Sequence, residues 1–182
     1  MRRLLLSTNN DNIPPNNEIW YATLSGKPIV TNGNNSGVNI ISNSIKGKGV
    51  LVFDGDIYII KEIFTANFAL KQIIIPNGVA LIGDHAFDSC TFLNRITIDK
   101  DSNLESIGYA AFADCESLTS IFIPKNVSDI GDAAFANCVS LNLIQYGGTM
   151  EQWKNVYVGN NWIDNVPTNT IICTDGQINI NN

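Results

Sequence analysis

The chain has little with which to do acid–base or metal chemistry: one histidine, His85, in 182 residues. Charge is scarce as well. Only 15% of the residues are Asp, Glu, Lys or Arg, and 17 acids against 11 bases leave a net charge of −6. Binding to nucleic acid draws on basic patches that displace phosphate counterions, and the sequence offers none, so no nucleic-acid partner is expected. No apolar run reaches the roughly eighteen residues that a transmembrane helix needs, so no membrane span is expected. The start, Met1-Arg2-Arg3, is basic, but only Leu4-Leu5-Leu6 follow it, whereas an export signal carries about 7–15 apolar residues. No signal peptide is recognisable.

Against these absences stands an excess of Asn and Ile, which together exceed a quarter of the chain. Ile is a β-branched strand former, and Asn tolerates the left-handed conformation of tight turns. Such a composition favours short strands joined by many turns. At 45% apolar residues, a chain of this length can bury a full core without disulfides.

Self-alignment exposes a repeat of 23 residues. One unit runs Leu70, Ile73, Ile75, Pro76, Val79, Ile82, Gly83, Ala86, Phe87, Cys90. The next runs Leu93, Ile96, Ile98, Leu104, Ile107, Gly108, Ala111, Phe112, Cys115, with two extra residues in Asp99–Asn103. A third runs Leu118, Ile121, Ile123, Pro124, Val127, Ile130, Gly131, Ala134, Phe135, Cys138. A fourth opens with Leu141, Ile144 and Tyr146, and a worn earlier unit holds Val50, Val52, Ile59, Ile63, Phe64 and Asn67. In each unit L-x-x-I-x-I alternates as a short strand. The second half, I-G-x-x-A-F-x-x-C, has spacings of three and four and reads as a turn or short helical segment. The recurring glycine marks a place that a side chain would obstruct. No unit can bury its own apolar face, but stacked units can.

The motif L-x-x-I-x-I-P-x-x-V-x-x-I-G-x-x-A-F-x-x-C resembles the BspA-type leucine-rich repeat, and the likeness covers roughly residues 16–176. The flanks, Gly47–Gly55 before the repeats and Tyr146-Gly147-Gly148-Thr149, Gln152-Trp153, Trp162 and Cys173–Gly176 after them, resemble the ends of such domains. The resemblance implies a curved solenoid used for adhesion or protein recognition at surfaces, without catalytic activity. The expected fold is thus a leucine-rich-repeat solenoid, mainly β, with one short strand per coil, short helical or turn segments, and a cap at each end.

The expected organisation is an extended N-terminal arm over 1–17, a β-hairpin cap over 18–46, about five coils over 47–146, and a C-terminal cap with a short helix over 147–182. In the N-terminal cap, 18–23 would pair with a return through Pro28-Ile29-Val30. In the C-terminal cap, Thr149-Met150-Glu151-Gln152 fits a capping box, and Trp153 and Trp162 would cover the last coil. The arm is read as ordered only against another chain, a carrier or virion protein, gripped by Arg2, Arg3, Leu4, Leu5 and Leu6.

Candidate sites are few. Cys90, Cys115 and Cys138 recur at one place and read as small buried residues, since a straight column cannot surround a metal tetrahedrally. His85, aligned with Tyr109 and Ala133 between the fixed Gly and Ala-Phe, reads as solvent-facing, with no partner for catalysis. Asp99–Asn103 begins like a calcium loop but lacks its Gly and terminal Glu, so it reads as a turn. No metal and no cofactor are expected. The residues between the inward isoleucines point outward. They give one column of Leu51, Ile74, Thr97, Phe122 and Gln145, and a neighbouring one that ends in Leu143. Leu51, Ile74, Phe122 and Leu143 are the candidate partner-binding residues, for a protein or host-surface glycan ligand. The function read from the sequence is a non-enzymatic interaction module. Its preferred setting is a phage virion, as a fibre or decoration protein. A secreted or cell-surface bacterial adhesin is the alternative.

Overall fold

The computed structural model describes residues 13–31, 38–46 and 48–180. Three strands lead, β1 (Glu18–Thr23), β2 (Ile40–Lys46) and β3 (Lys48–Phe53). Two kinds of strand then alternate along the chain: β4 (Ile59–Ile60), β5 (Leu70–Ile74), β6 (Leu81–Ile82), β7 (Arg95–Thr97), β8 (Ser106–Ile107), β9 (Ser120–Ile123), β10 (Asp129–Ile130) and β11 (Leu143–Tyr146). One turn of helix, α1 (Met150–Trp153), precedes β12 (Tyr157–Val158), β13 (Thr170–Cys173) and β14 (Gly176–Asn179). Each coil contributes two parallel strands. The L-x-x-I-x-I segments stack as the main ladder, with β5 on β7 and then β9 on β11 on β13. The two-residue strands that precede Lys61, Gly83, Gly108, Gly131 and Gly159 stack as a second ladder, β4-β6-β8-β10-β12. The architecture is a solenoid of about five coils, almost devoid of helix.

The second half of each repeat is not helical, although its spacing allowed that reading. A two-residue strand and a run of turns take its place. The turns bend at non-glycine residues in the left-handed region, two per coil and four residues apart: His85 and Ser89, Ala110 and Asp114, Ala133 and Asn137, Asn161 and Asn165. This backbone ladder aligns His85 with Ala110 and Ala133, so Tyr109 belongs one position earlier. The recurring glycines do their work elsewhere, through close approach. A Cβ on Gly131 would lie 2.7 Å from both Gly108 C and Tyr109 N, and one on Gly108 would lie 2.8 Å from Gly83 C. Only a hydrogen atom fits between the coils there.

The core is a set of columns. Phe64, Phe87, Phe112 and Phe135 stack nearly parallel with ring centroids 5.1, 5.1 and 5.2 Å apart. Beside them, each cysteine thiol donates to a phenylalanine carbonyl one coil back: Cys90 to Phe64 at 3.0 Å, Cys115 to Phe87 at 3.3 Å, Cys138 to Phe112 at 3.1 Å. All four cysteines are free and buried. Burial pushes the Cys90 and Cys138 thiols up to about 12 and raises Cys115 strongly. In the first coil Asn67 takes the cysteine place. Its carboxamide accepts from Ala69 N and Leu70 N and donates to Val30 O at 2.7 Å, tying the N-terminal segment to the repeat.

Both ends are closed. At the C-terminus, the Thr149 hydroxyl accepts from Gln152 N while Gln152 Oε1 accepts from Thr149 N, a complete capping box. Trp153 and Trp162 are buried, and Trp162 lies edge-on to Phe135. At the N-terminus the expected hairpin is replaced by a three-strand arrangement. β1 lies between β3 and β5, antiparallel to both, and β3 forms its hairpin with β2 instead. The Ser25-Gly26-Lys27 turn exists, with Gly26 at φ 65°, but Pro28–Val30 forms no strand. The lower part of the arm is also not free to await another chain. Asn16 O accepts from Ile57 N at 2.7 Å, Asn17 O from Phe53 N at 2.9 Å, and Asn16 Oδ1 from Gly78 N at 2.9 Å. The gripping residues Arg2, Arg3, Leu4, Leu5 and Leu6 lie outside the described residues.

Candidate functional site

The outward face of the main ladder is built by two-residue alternation, which sends every second side chain away from the core. Ile73, Ile75, Ile121, Ile123, Ile144 and Ile171 are buried inside. Between them Ile74 and Phe122 are half-buried on the outer surface, and Leu143 is 38% exposed. Three of the expected outward residues therefore share this face. The fourth does not. Leu51 is 0% exposed, deep in the core. Its register is the reverse of the expectation because β3 is no repeat strand. Gly49, Leu51 and Phe53 face inward, with Gly49 lying so close under the Tyr21 ring that a Cβ there would collide with it. Val50 and Val52 point outward in place of Leu51.

A residue that the sequence reading passed over, Trp20, completes the face. Ile19 and Tyr21 are buried, so Trp20 between them points out, opposite Val50 on one side and Ile74 on the other. The alternation Glu18-Ile19-Trp20-Tyr21-Ala22-Thr23 contained this signal, but a local hairpin hid its position in the ladder. The resulting row is Val50, Trp20, Ile74, Thr97, Phe122, Gln145, Ile172, one residue per strand from β3 to β13. Thr97 and Phe122 hold the same repeat position in successive coils. A second row, Gln72, Arg95, Ser120, Leu143, runs beside it.

Polar groups fix the N-terminal end of the row. The Trp20 indole N–H donates to Glu18 Oε2 at 2.8 Å, and the Lys48 ammonium sits over the Trp20 ring. Burial lowers the Lys48 pKa, and the Glu18 carboxylate partly restores it. Toward the other end, Phe122 packs beside Gly147, where a Cβ would lie 2.9 Å from the ring. Most acids lie on the turns instead. Asp84 Oδ1 and Asp132 Oδ1 each accept at 2.7 Å from a main-chain N–H of the following coil, Tyr109 and Asn160. These carboxylates are structural staples.

The remaining sequence candidates, His85 and the Asp99 turn, lie apart from this row. His85 Nδ1 lies 2.9 Å from Asp88 Oδ2 at the rim of a shallow groove with Glu62 and Thr65. Asp99 closes a turn by accepting from Asp101 N at 2.9 Å, and Ser102 beneath it is buried. Among the described residues, no three His, Cys, Asp or Glu side chains are grouped to hold a metal. Among those residues, too, no helix is long and apolar enough to cross a membrane.

Comparison with known proteins places these features in a family. The family model described as a BspA type leucine rich repeat region, with 6 copies, matches residues 51–174. No curated protein matches the chain. Three solved structures do. A leucine-rich repeat protein from Bacteroides ovatus is 31% identical over 43% of this chain and 19% of its own, with a TM-score of 0.40. A leucine rich cell surface protein from Faecalibacterium prausnitzii is 27% identical over 47% of this chain and 34% of its own, with a TM-score of 0.36. A leucine-rich repeat protein from T. pallidum is 24% identical over 66% of this chain and 69% of its own, with a TM-score of 0.40. The matched part of this chain thus spans about a fifth and a third of the first two proteins.

Proposed function

Because the chain belongs to the BspA-type leucine-rich repeat family, we propose that it is a non-enzymatic interaction module that holds its ligand on the outward face of the main strand ladder. The observation that carries this reading is the row Val50, Trp20, Ile74, Thr97, Phe122, Gln145, Ile172. Five of its seven side chains are apolar, although the core lies on the opposite face of the sheet. Interface energy concentrates in Trp, Tyr and Arg, with other large apolar side chains in support, and this face presents Trp20, Phe122 and Arg95. Parallel pairing already engages the interior strands on both edges, so a ligand meets side chains and not free backbone.

The setting we propose is a bacterial surface, with the protein acting as an adhesin toward a host protein or glycan. The family match is compatible with that setting and lends no support to a virion role. The test is an array of extracellular proteins and host glycans probed with the wild-type protein and with Trp20→Ser and Phe122→Ser. Signals that both variants lose while their melting temperatures stay within a few degrees of wild type support the reading. Signals that neither variant changes would move the ligand off this face.

A further inference from the structure

A sequence feature outside the interaction face carries chemistry of its own. Asn77 and Gly78 occupy the middle of the turn that ends β5, closed by Val79 N donating to Pro76 O at 3.1 Å. Asparagine followed by glycine is the pair most prone to cyclise, because no Cβ hinders attack by the glycine nitrogen on the carboxamide. Two features of the structure bear on that attack. Asn77 Oδ1 is the buried side-chain oxygen left without a hydrogen-bond partner among the described residues, so nothing stabilises the negative charge that would develop on it. Gly78 N, the nucleophile, donates to Asn16 Oδ1 at 2.9 Å. Asn16 stands so close that a Cβ on Gly78 would lie 2.6 Å from its Cγ. Asn16 is in turn fixed through its carbonyl, which accepts from Ile57 N at 2.7 Å.

We infer that Asn77–Gly78 is a latent deamidation site locked by Asn16, so that loss of the Asn77 amide records detachment of the N-terminal segment from the first coils. Released from Asn16, the Gly78 nitrogen gives up its proton and bonds to Asn77 Cγ, and ammonia leaves, closing a succinimide. Water then opens the ring to aspartate or isoaspartate. Aspartate places a carboxylate where the structure holds an unpartnered neutral oxygen, whereas isoaspartate carries its carboxylate at the former main-chain carbonyl, which now accepts from Asn103 N, and adds a methylene to the main chain of the turn. Isoaspartate reroutes the main chain that carries the Gly78 N–H toward Asn16 Oδ1, so that product does not restore the docking, and the loss of ammonia makes the change one-way.

The test is peptide mapping of the full-length protein after incubation at pH 8.5 and 37 °C, reading the one-dalton mass gain and the isoaspartate at residue 77. The wild-type protein should gain it at least tenfold more slowly than the same protein unfolded in urea. Asn16→Ala should accelerate it several-fold and also speed hydrogen exchange at the Gly78 amide. Trp153→Leu, a destabilising change at the opposite cap, separates a local lock from global unfolding and should leave the residue-77 rate near wild type. Equal rates in wild type and Asn16→Ala, or an equal acceleration by Trp153→Leu, would overturn the assignment.

Discussion

Trp162 meets Phe135 edge-on at 6.2 Å between ring centroids and so ends the stack that begins at Phe64. Its other side rests on Trp153, 6.0 Å away, which in turn meets Tyr146 at 5.0 Å. The last coil, with β12, the Asn161 and Asn165 turns and β13, thus closes the stack with aromatic side chains in place of a further phenylalanine ring. In a solenoid each unit is stabilised only by its neighbours, so the ring stack and its terminator share one energetic role.

Phe112→Ala should therefore cost about 3–5 kcal/mol, since it removes an interior ring of the four-ring stack and leaves a cavity. In a protein of this size that lowers the melting temperature on the order of 10 °C. Trp162→Ala should act in the same direction and additionally expose the end of the last coil. Calorimetry of either variant with an unchanged transition would contradict the packing described.

The glycine column and the left-handed column should respond oppositely to the same two residue types. Gly131→Ala drives a methyl group into the Gly108 backbone, and overpacking of this kind costs about 1–3 kcal/mol or more. Ala133, two residues on, sits at φ 54°. Ala133→Gly relieves a left-handed strain of about 1–2 kcal/mol while gaining some unfolded-state entropy, and should be neutral or stabilising by up to ~1 kcal/mol. Chemical denaturation of the pair checks the contrast, and a stabilised Gly131→Ala would refute the close-approach argument.

The thiol column predicts alkaline sensitivity. Cys90 and Cys138 have folded-state pKa values raised to about 12 by burial, above the ordinary value near 9. Unfolding releases these protons first, so their contribution to stability is complete below pH 9 and is lost as pH rises toward 12. Melting temperature should fall across that window, and Cys90→Ala/Cys138→Ala should flatten the fall. All four thiols should resist alkylation in the native protein and react in denaturant. A bridge between successive cysteines would contradict the column.

The repeat made most of the fold legible. L-x-x-I-x-I sets the main ladder, and the alternation around Ile73–Ile75 and Ile121–Ile123 assigns Ile74 and Phe122 to the outer face. The ends were less legible, because they pair across the chain and not along it. Leu51 and Val50 both suit a strand, and only the antiparallel docking of β1 against β3 decides which faces the core. The same docking places Trp20 in the row. The spacing of three and four in the second half-repeat fits a helix as well as it fits paired left-handed turns, and the ladder hydrogen bonds between coils favour the turns.

Inside and outside residues of one strand should separate stability from recognition. Ile121→Ser places a hydroxyl in the core and removes buried carbon, costing at least ~3 kcal/mol. Phe122→Ser, one residue later, should cost less, about 1–2 kcal/mol, because the ring is half-buried on the outer surface and not in the core. Urea titration of the two variants measures the difference, and equal losses would mean that Phe122 belongs to the core.

The most direct test of the account is the binding of a double variant, Trp20→Ser/Phe122→Ser, on the same protein and glycan array, beside a turn-edge control, Asp84→Asn/Asp132→Asn. The ladder-face variant should lose wild-type signals tenfold or more while remaining folded, and the turn-edge control should keep them. Signals that survive in the ladder-face variant, or that vanish only in the turn-edge control, would contradict the assignment of ligand binding to this face.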